Sequence, residues 1–136
     1  MPIAQRISTN LLTRDIIRAT EFYRILCGFR QVHTESWYVV LATSPDSPFQ
    51  LGLIDRVSEF VPRAARGEAQ GSFLEIVVDD VSAAIEAVRE FGIEIIEEPT
   101  LFGEQTRAVL RDLDGHVIDL TTEHARYRIP PRKAVA

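Results

Sequence analysis

The sequence lacks several features that would assign its class directly. Its 136 residues include one cysteine, Cys27, and no long apolar run. A single cysteine excludes an internal disulfide framework, and the apolar runs are far too short to span a membrane. Charges of neither sign form a block and the formal net charge is −5, so we expect no nucleic-acid or membrane partner. The amino-terminal residues lack the apolar core of a signal peptide, and we therefore expect a cytoplasmic protein.

The composition is that of a soluble globular protein. Hydrophobic residues make up 46% of the chain and charged residues 26%, which are ordinary values for a folded domain. A chain of this length is enough for one domain with a substantial core and too short for two ordinary ones. We therefore treat residues 1–136 as a single domain.

The chain contains an internal repeat. Residues 15–29 and 80–93 share an aspartate at the start, an apolar helical pattern and a glycine at the end. Each copy follows a short apolar strand and precedes three strand-like segments, which predicts two βαβββ modules. We place module one at 7–55, a linker at 56–71, module two at 72–122 and an exposed tail at 123–136.

Caps and turns set the boundaries of the predicted elements. Asp15 and Asp80 are suited to cap the two helices, because a carboxylate accepts from the free N–H groups of the first turn. Gly28 and Gly92 are suited to end them. Residues 112–115 predict a hairpin turn. The predicted strands cover residues 7–13, 29–36, 37–43, 49–54, 73–78, 93–97, 106–113 and 116–122.

These segments, in this order and repeated, resemble the vicinal oxygen chelate superfamily, which includes glyoxalase I, bleomycin-resistance proteins, fosfomycin-resistance enzymes and extradiol dioxygenases. The resemblance covers about residues 7–122 and implies an α+β fold whose two modules form curved mixed sheets around a cavity. It rests on Leu12–Asp15 leading to Phe22-Tyr23, Leu26–Phe29, Leu51–Leu53, Val77–Val81, Phe91–Ile93 and Asp112–Leu120.

The resemblance also implies where a metal would be bound. Relatives that use a metal take its ligands from the first and last strands of each module, which here gives Ser8, Gly52, Phe73 and Asp119. Only Asp119 is a good donor, so we expect no metal and no other cofactor. The alternative is a shifted set for Mg²⁺ or Mn²⁺, which consists of Asn10, Gln50, Glu75 and Asp119.

The cavity can bind an organic molecule without a metal. Leu12, Phe73 and Val77 are expected to give it apolar walls, with a few polar groups among them. Trp37 and Tyr38 adjoin on one predicted strand, so their rings should point to opposite faces and one should reach the ligand. The predicted ligand-binding residues are Asn10, Trp37, Tyr38, Gln50, Phe73, Glu75, Asp119 and Thr121.

Three functions stay open. The chain is similar to the drug-binding relatives, which sequester a toxic compound without metal at sites between two chains; this implies a homodimer with a small-molecule ligand. An enzyme is the alternative, of lyase, isomerase or oxidoreductase type, with the shifted metal site or with Glu75 and Asp119 as a proton-transfer pair. The third is an interaction module whose pocket is filled by its own side chains.

The other reactive side chains are given structural roles. His33, His116 and His124 are scattered, with His116 expected to be exposed after the hairpin turn. Cys27 is expected to be a packing residue. Arg107 and Arg111 share one face of a strand, where we expect surface exposure; they would clamp an anion if that face pointed inward.

Overall fold

Two four-stranded sheets and two helices make up the structure. The computed structural model describes residues 1–68 and 70–123, so the tail beyond residue 123, with His124, lies outside the described residues. Each sheet is built from one βαβββ module, and the predicted fold class is confirmed. Among the described residues, neither helix has the length and apolar character needed to cross a bilayer.

Module one forms the first sheet. Its strand order is β1-β4-β3-β2, with β1 parallel to β4 and the other pairs antiparallel. The elements are β1 (Thr9–Thr13), α1 (Ile16–Cys27), β2 (Arg30–Thr34), β3 (Tyr38–Ala42) and β4 (Leu51–Asp55).

Module two repeats this topology. Its strand order is β5-β8-β7-β6, again with the first strand parallel to the last. The elements are β5 (Leu74–Val77), α2 (Val81–Val88), β6 (Ile95–Phe102), β7 (Gln105–Arg111) and β8 (Val117–Thr121). Short 3₁₀ turns lie at Arg63–Ala65 in the linker and at Arg89–Phe91 after α2.

The predicted starts of both helices and the predicted end of α1 are confirmed, whereas α2 ends at Val88 and a 3₁₀ turn continues to Gly92. The Asp15 carboxylate accepts from the Arg18 N–H at 3.0 Å, and Asp80 accepts from the Ala83 N–H at 2.9 Å. Gly28 has φ 72°, a left-handed conformation that glycine adopts without a steric penalty.

The predicted strand at 93–97 is wrong in its extent, since β6 runs from Ile95 to Phe102 and includes Pro99. It is the edge strand of its sheet, and its pairing with β7 shifts register between Glu97 and Thr100. An edge strand with such an irregularity tolerates proline, which cannot donate to the ladder.

The core lies between the helices and one surface of each sheet. Phe22 and Ile85, on α1 and α2, have no exposed surface, and neither have Leu41 and Leu120 on the strands. The Phe22 ring also packs edge-to-face on Phe91, with 5.5 Å between centroids. The other surface of each sheet carries the alternate side chains; we call these the first inner surface and the second inner surface.

A buried hydrogen bond joins the two modules. The Tyr23 hydroxyl on α1 donates to Asp112 Oδ2 at 2.6 Å, and Asp112 Oδ1 accepts from the N–H groups of Asp114 and His116 at 2.9 Å each. Burial, followed by the charge of Asp112, raises the pKa of Tyr23 well above its usual value. The helix of module one thus holds the predicted 112–115 turn of module two.

Candidate functional site

The registers of the two sheets make their inner surfaces directly comparable. Gly52 on β4 lies opposite Asn10 on β1, and Asp119 on β8 lies opposite Glu75 on β5. Ser8 and Phe73 precede Asn10 and Glu75 by two residues. Ser8 and Phe73 therefore occupy equivalent positions in the two modules, and so do Gly52 and Asp119, as the repeat predicts.

On the first inner surface, two side chains occupy the space beside Gly52. The Tyr38 hydroxyl donates to Asn10 Oδ1 at 3.2 Å. A Cβ atom at Gly52 would lie 2.1 Å from Asn10 Oδ1 and 3.0 Å from the Tyr38 hydroxyl. These side chains leave no room for any side chain at position 52 without rearrangement, so a metal ligand cannot be placed there.

A hollow of about 360 Å³ adjoins this hydrogen bond. Ser8, His33, Tyr38 and Gln50 are among the residues that line it, together with the backbone of Gly52. Its polar groups are neutral amides and hydroxyls apart from His33 and the nearby Arg6. It offers hydrogen bonds and one aromatic ring, but no carboxylate.

The expectation that Trp37 and Tyr38 point to opposite faces is wrong. Their rings are stacked, with 5.5 Å between centroids and 22° between planes. Trp37 precedes β3 and lies in the turn after β2, where the alternation of strand side chains does not apply. Trp37 also stacks on Phe60, with 4.8 Å between centroids, so the rings of Tyr38, Trp37 and Phe60 form one aromatic cluster.

An ion pair dominates the second inner surface. Arg107 Nε donates to Asp119 Oδ1 at 2.8 Å, and only 9% of Asp119 is exposed. The hydrogen bond and charge of Asp119 raise the pKa of Arg107, with smaller contributions from Glu97 and Glu75. Arg107 lies on the inner face of its strand and is half-buried, with 39% of its side chain exposed.

Apolar side chains surround this ion pair in a second hollow of about 360 Å³. Phe73, Val109 and Val117 line it along with Arg107 and Asp119. The residue Phe73 is 64% exposed although it is aromatic. Apolar walls with one charged anchor are typical of small-molecule sites.

The remaining predicted residues lie in different surroundings. Glu75 is next to Asp119 across the β5–β8 pair and is exposed. Thr121 is fully buried, where it accepts from Gln105 Nε2 and donates to the Thr122 carbonyl. Val77 is 46% exposed. The predicted residues are thus divided between two inner surfaces, with Gln50 at the first hollow and Phe73 and Asp119 at the second.

The expectation for Cys27 agrees with the structure, and the expectation for His116 does not. His116 is half-buried rather than exposed, because its Nε2 lies 2.9 Å from the Leu12 carbonyl and donates to it. Cys27 is half-buried, as expected for a packing residue, and burial raises the pKa of its thiol to about 12.

The donors on the inner surfaces do not fit a divalent metal. Among the described residues, no three His, Cys, Asp or Glu side chains are grouped so as to hold one. Asp119 is bonded to the Arg107 guanidinium, Gly52 has no side chain and Phe73 has no donor atom. In the shifted set, Asn10 Oδ1 already accepts from Tyr38 and Asp119 already accepts from Arg107. Neither set provides the three or more free N and O ligands that a catalytic ion requires.

Sequence reasoning did not name Val109, and it named Arg107 only as an anion clamp on the condition that its strand face pointed inward. Both lie on the face of β7 that carries Arg111, and Val109 pairs with Asp119 on β8. One pattern in the sequence could have indicated them. Asp119 was expected to point inward, and since strand side chains alternate, every second residue of the neighbouring strand should also point inward. The register between the two strands, which the sequence does not display, was needed to identify them.

Comparisons with known proteins support the fold. The family model of the Glyoxalase/Bleomycin resistance protein/Dioxygenase superfamily matches residues 6–120. A comparison with curated proteins gave no significant match.

Solved structures share the architecture over most of the chain. The protein VPC_CASS1 from the mobile metagenome of V. Pseudocholerae is 28% identical, with a TM-score of 0.65 and coverage of 92% of this chain and 98% of that one. Hypothetical protein SA1046 from S. aureus is 22% identical, with a TM-score of 0.69 and coverage of 89% and 95%. A glyoxalase/bleomycin resistance protein/dioxygenase family enzyme from Burkholderia phytofirmans PsJN is 22% identical, with a TM-score of 0.67 and coverage of 85% and 95%.

Proposed function

We propose that this chain, which belongs to the Glyoxalase/Bleomycin resistance protein/Dioxygenase superfamily, binds a small organic molecule on its inner surfaces without a metal or other cofactor. The observation that carries this proposal is the second hollow, where the Arg107–Asp119 ion pair adjoins the exposed ring of Phe73. The superfamily hosts several chemistries, so this site, and not the fold, supports a binding function.

The second hollow favours a planar ligand that carries a carbonyl or a carboxylate. A guanidinium has five N–H donors in a fixed plane, and the bond to Asp119 uses only the Nε one. The remaining donors can bind an acceptor on the ligand, with Asp119 holding the guanidinium in place. Phe73 can stack on the flat part of the same ligand.

A homodimer is part of the proposal, because a single chain leaves apolar inner side chains in water. Phe73 and Val77 are 64% and 46% exposed. A second copy would cover them and bring a first inner surface, with its Tyr38 and Gln50, opposite a second one. The molar mass in solution, measured by light scattering, tests this: a monomer at micromolar concentration contradicts the dimer but leaves the ligand site open.

Binding is tested by titrating planar aromatic carboxylates and their neutral amides into the purified protein. We expect Phe73→Ala and Arg107→Gln each to weaken the best ligand about tenfold, since each removes one of its two anchors. The matched controls are Ile17→Ala, on the exposed side of α1, and Arg30→Gln, on β2 at the edge of the first sheet; both should bind like the parent.

Two results would overturn the proposal. Elemental analysis that finds a stoichiometric divalent ion in the purified protein contradicts the metal-free part. Equal effects of Phe73→Ala and Ile17→Ala on every ligand found contradict the location of the site.

A metal-free enzyme of lyase, isomerase or oxidoreductase type is the second candidate, and one observation favours it. Glu75 adjoins Asp119 across β5 and β8, so a second carboxylate lies beside the ligand anchor. In an isomerase Glu75 would move a proton on a ligand held by Arg107. Loss of turnover in Glu75→Gln with unchanged ligand affinity supports this candidate, and a bound ligand recovered unchanged after long incubation contradicts it.

A further inference from the structure

A third hollow lies where the two modules meet, and it shares no lining residue with the two inner hollows. It is a cleft of about 800 Å³ between the end of β1, the linker, and the turn that connects β7 and β8. The proposed function makes no use of it.

The cleft is lined mainly by cationic side chains. Four arginines border it, Arg14, Arg56, Arg66 and Arg111, against two carboxylates, Asp114 and Glu68, so the formal charge of its lining is +2, or +1 when Glu94, which pairs with Arg111, is counted. The whole chain has a formal net charge of −5. The four arginines come from three parts of the chain, the end of β1, the linker and the end of β7, and their convergence concentrates positive charge on an otherwise acidic protein.

Three of these guanidinium groups are held in place with donors to spare. Arg14 Nε donates to Asp114 Oδ1 at 3.3 Å and its Nη2 to the Leu113 carbonyl at 3.0 Å. Arg111 bonds to Glu94 and to the Gly115 carbonyl at 3.1 Å each, and Arg66 bonds to the Ser58 carbonyl at 3.2 Å. Each guanidinium has five N–H donors, so ordered donors remain for a ligand.

Arg56 differs from the other three. Among residues 1–68 and 70–123, its guanidinium makes no hydrogen bond or ion pair, although its backbone N–H donates to the Thr13 carbonyl at 3.0 Å. It can therefore turn toward a ligand without losing a partner.

We propose that this cleft binds a phosphate group, either free or as part of a phosphorylated small molecule. A phosphate monoester has a charge of about −2 near neutral pH and several strong acceptor oxygens. Its charge is opposite in sign to that of the cleft, and its oxygens can accept hydrogen bonds from several arginines at once. Planar arginine groups bind such oxygens in pairs, which makes arginine the preferred phosphate ligand where geometry is fixed.

Calorimetric titration with inorganic phosphate tests the proposal, with acetate as the comparison at equal ionic strength. We expect saturable binding of phosphate and at least about tenfold weaker binding of acetate, because a carboxylate has half the charge and fewer acceptor sites. Equal heats for phosphate and acetate, or no saturable binding of phosphate, would overturn it.

Two variants locate the site. Arg56→Gln loses no bond of the folded protein, and we expect it to weaken phosphate binding about fivefold or more. Arg30→Gln removes the same charge from the distant β2 and should leave the affinity within about twofold, since screening reduces long-range effects. Equal weakening in the two variants contradicts a site in the cleft.

Glucose 6-phosphate, with glucose as its control, distinguishes the two sources of phosphate. Tighter binding of glucose 6-phosphate than of inorganic phosphate, lost in Arg56→Gln, supports a phosphorylated metabolite. Tighter binding of inorganic phosphate supports the free ion. Binding of glucose itself with the same affinity as its phosphate contradicts recognition of the phosphate group. None of these results bears on the inner hollows, so the two proposals fail independently.

Discussion

The two modules have the same backbone plan and opposite chemistry on their inner surfaces. Tyr38 and Arg107 occupy matching places, since each is two residues before the valine that faces Gly52 or Asp119. In module one Tyr38 donates to a neutral amide across a glycine. In module two Arg107 donates to a buried carboxylate. Corresponding strands thus carry a neutral hydrogen bond in one sheet and an ion pair in the other.

The helices of the two modules differ at one equivalent position, and in module one the side chain there bonds to module two. Eight residues after its capping aspartate, each helix buries a side chain completely, Tyr23 on α1 and Val88 on α2. Only Tyr23 has a hydroxyl, and it donates to Asp112 in the other module. Positions with similar residues in both modules pack the core. Positions with different residues form the Tyr23–Asp112 bond between the modules and the contacts of the two inner surfaces.

The largest expected effect comes from removing the junction hydroxyl. Tyr23→Phe leaves Asp112 Oδ2 buried without its 2.6 Å donor, and a buried acceptor without a partner costs about 1–3 kcal/mol. Chemical denaturation should show this loss in the free energy of unfolding. Tyr38→Phe is the control, because its hydroxyl bonds to the exposed Asn10 and its loss should cost less than about 0.5 kcal/mol. Equal losses in the two variants would contradict the importance of the junction bond.

The second effect concerns the ion pair of module two. Arg107→Gln leaves the 9% exposed Asp119 beside Glu75 and without its cation. We expect a loss of about 1–2 kcal/mol, below the range for fully buried pairs because water reaches Arg107.

A double-mutant cycle isolates this pair from other effects of the substitution. Adding Asp119→Asn to Arg107→Gln removes the unpaired charge and should restore about half or more of the loss. Additive losses in the double variant would mean that the ion pair contributes no coupling energy. The Arg107–Asp119 contact of module two would then stabilise the fold no more than the neutral Tyr38–Asn10 contact of module one.

The sequence was sufficient for the features that recur locally. Asp15 and Asp80 cap their helices through contacts three residues away, and Gly28 and Gly92 end the helical segments through their own backbone angles. Such short-range rules can be read from one chain. The correspondence of Gly52 with Asp119 also followed from the repeat, because both modules share one register.

Contacts between distant segments could not be predicted in the same way. Arg107 with Asp119 depends on which residues of β7 and β8 face each other, and the stacking of Trp37 depends on a turn that places it outside the strand. Tyr23 and Asp112 are 89 residues apart. Long-range pairing is set by the packed fold, and a single sequence shows the propensity of each segment without its partner.

The third effect tests the close approach at Gly52. Gly52→Ala places a methyl group against Asn10 and Tyr38, whose side-chain ends can move aside, so we expect a loss of about 1 kcal/mol. Displaced Tyr38 should also alter the fluorescence of Trp37, which stacks on it. In an Asn10→Ala background the nearest obstacle is absent, and the same substitution should cost about half as much. An unchanged cost there would mean that Asn10 is not the obstacle.

The smallest effect at neutral pH is expected at the end of the first helix. Cys27 lies in the last turn of α1, whereas α2 continues into a 3₁₀ turn. Burial raises the pKa of the Cys27 thiol to about 12, above the value of about 8.5 for an unfolded chain. Because the folded pKa is the higher one, the folded state favours the protonated thiol. The stability that this preference contributes is complete below pH of about 8.5 and is lost as the pH rises toward 12. The free energy of unfolding should therefore fall over this alkaline range, less steeply in Cys27→Ala. Since Tyr23 also has a raised pKa, Cys27→Ala is compared with its parent in the Tyr23→Phe background. If the free energy of unfolding falls equally steeply with pH in both, the thiol has the same pKa in the folded and unfolded states, which contradicts the prediction.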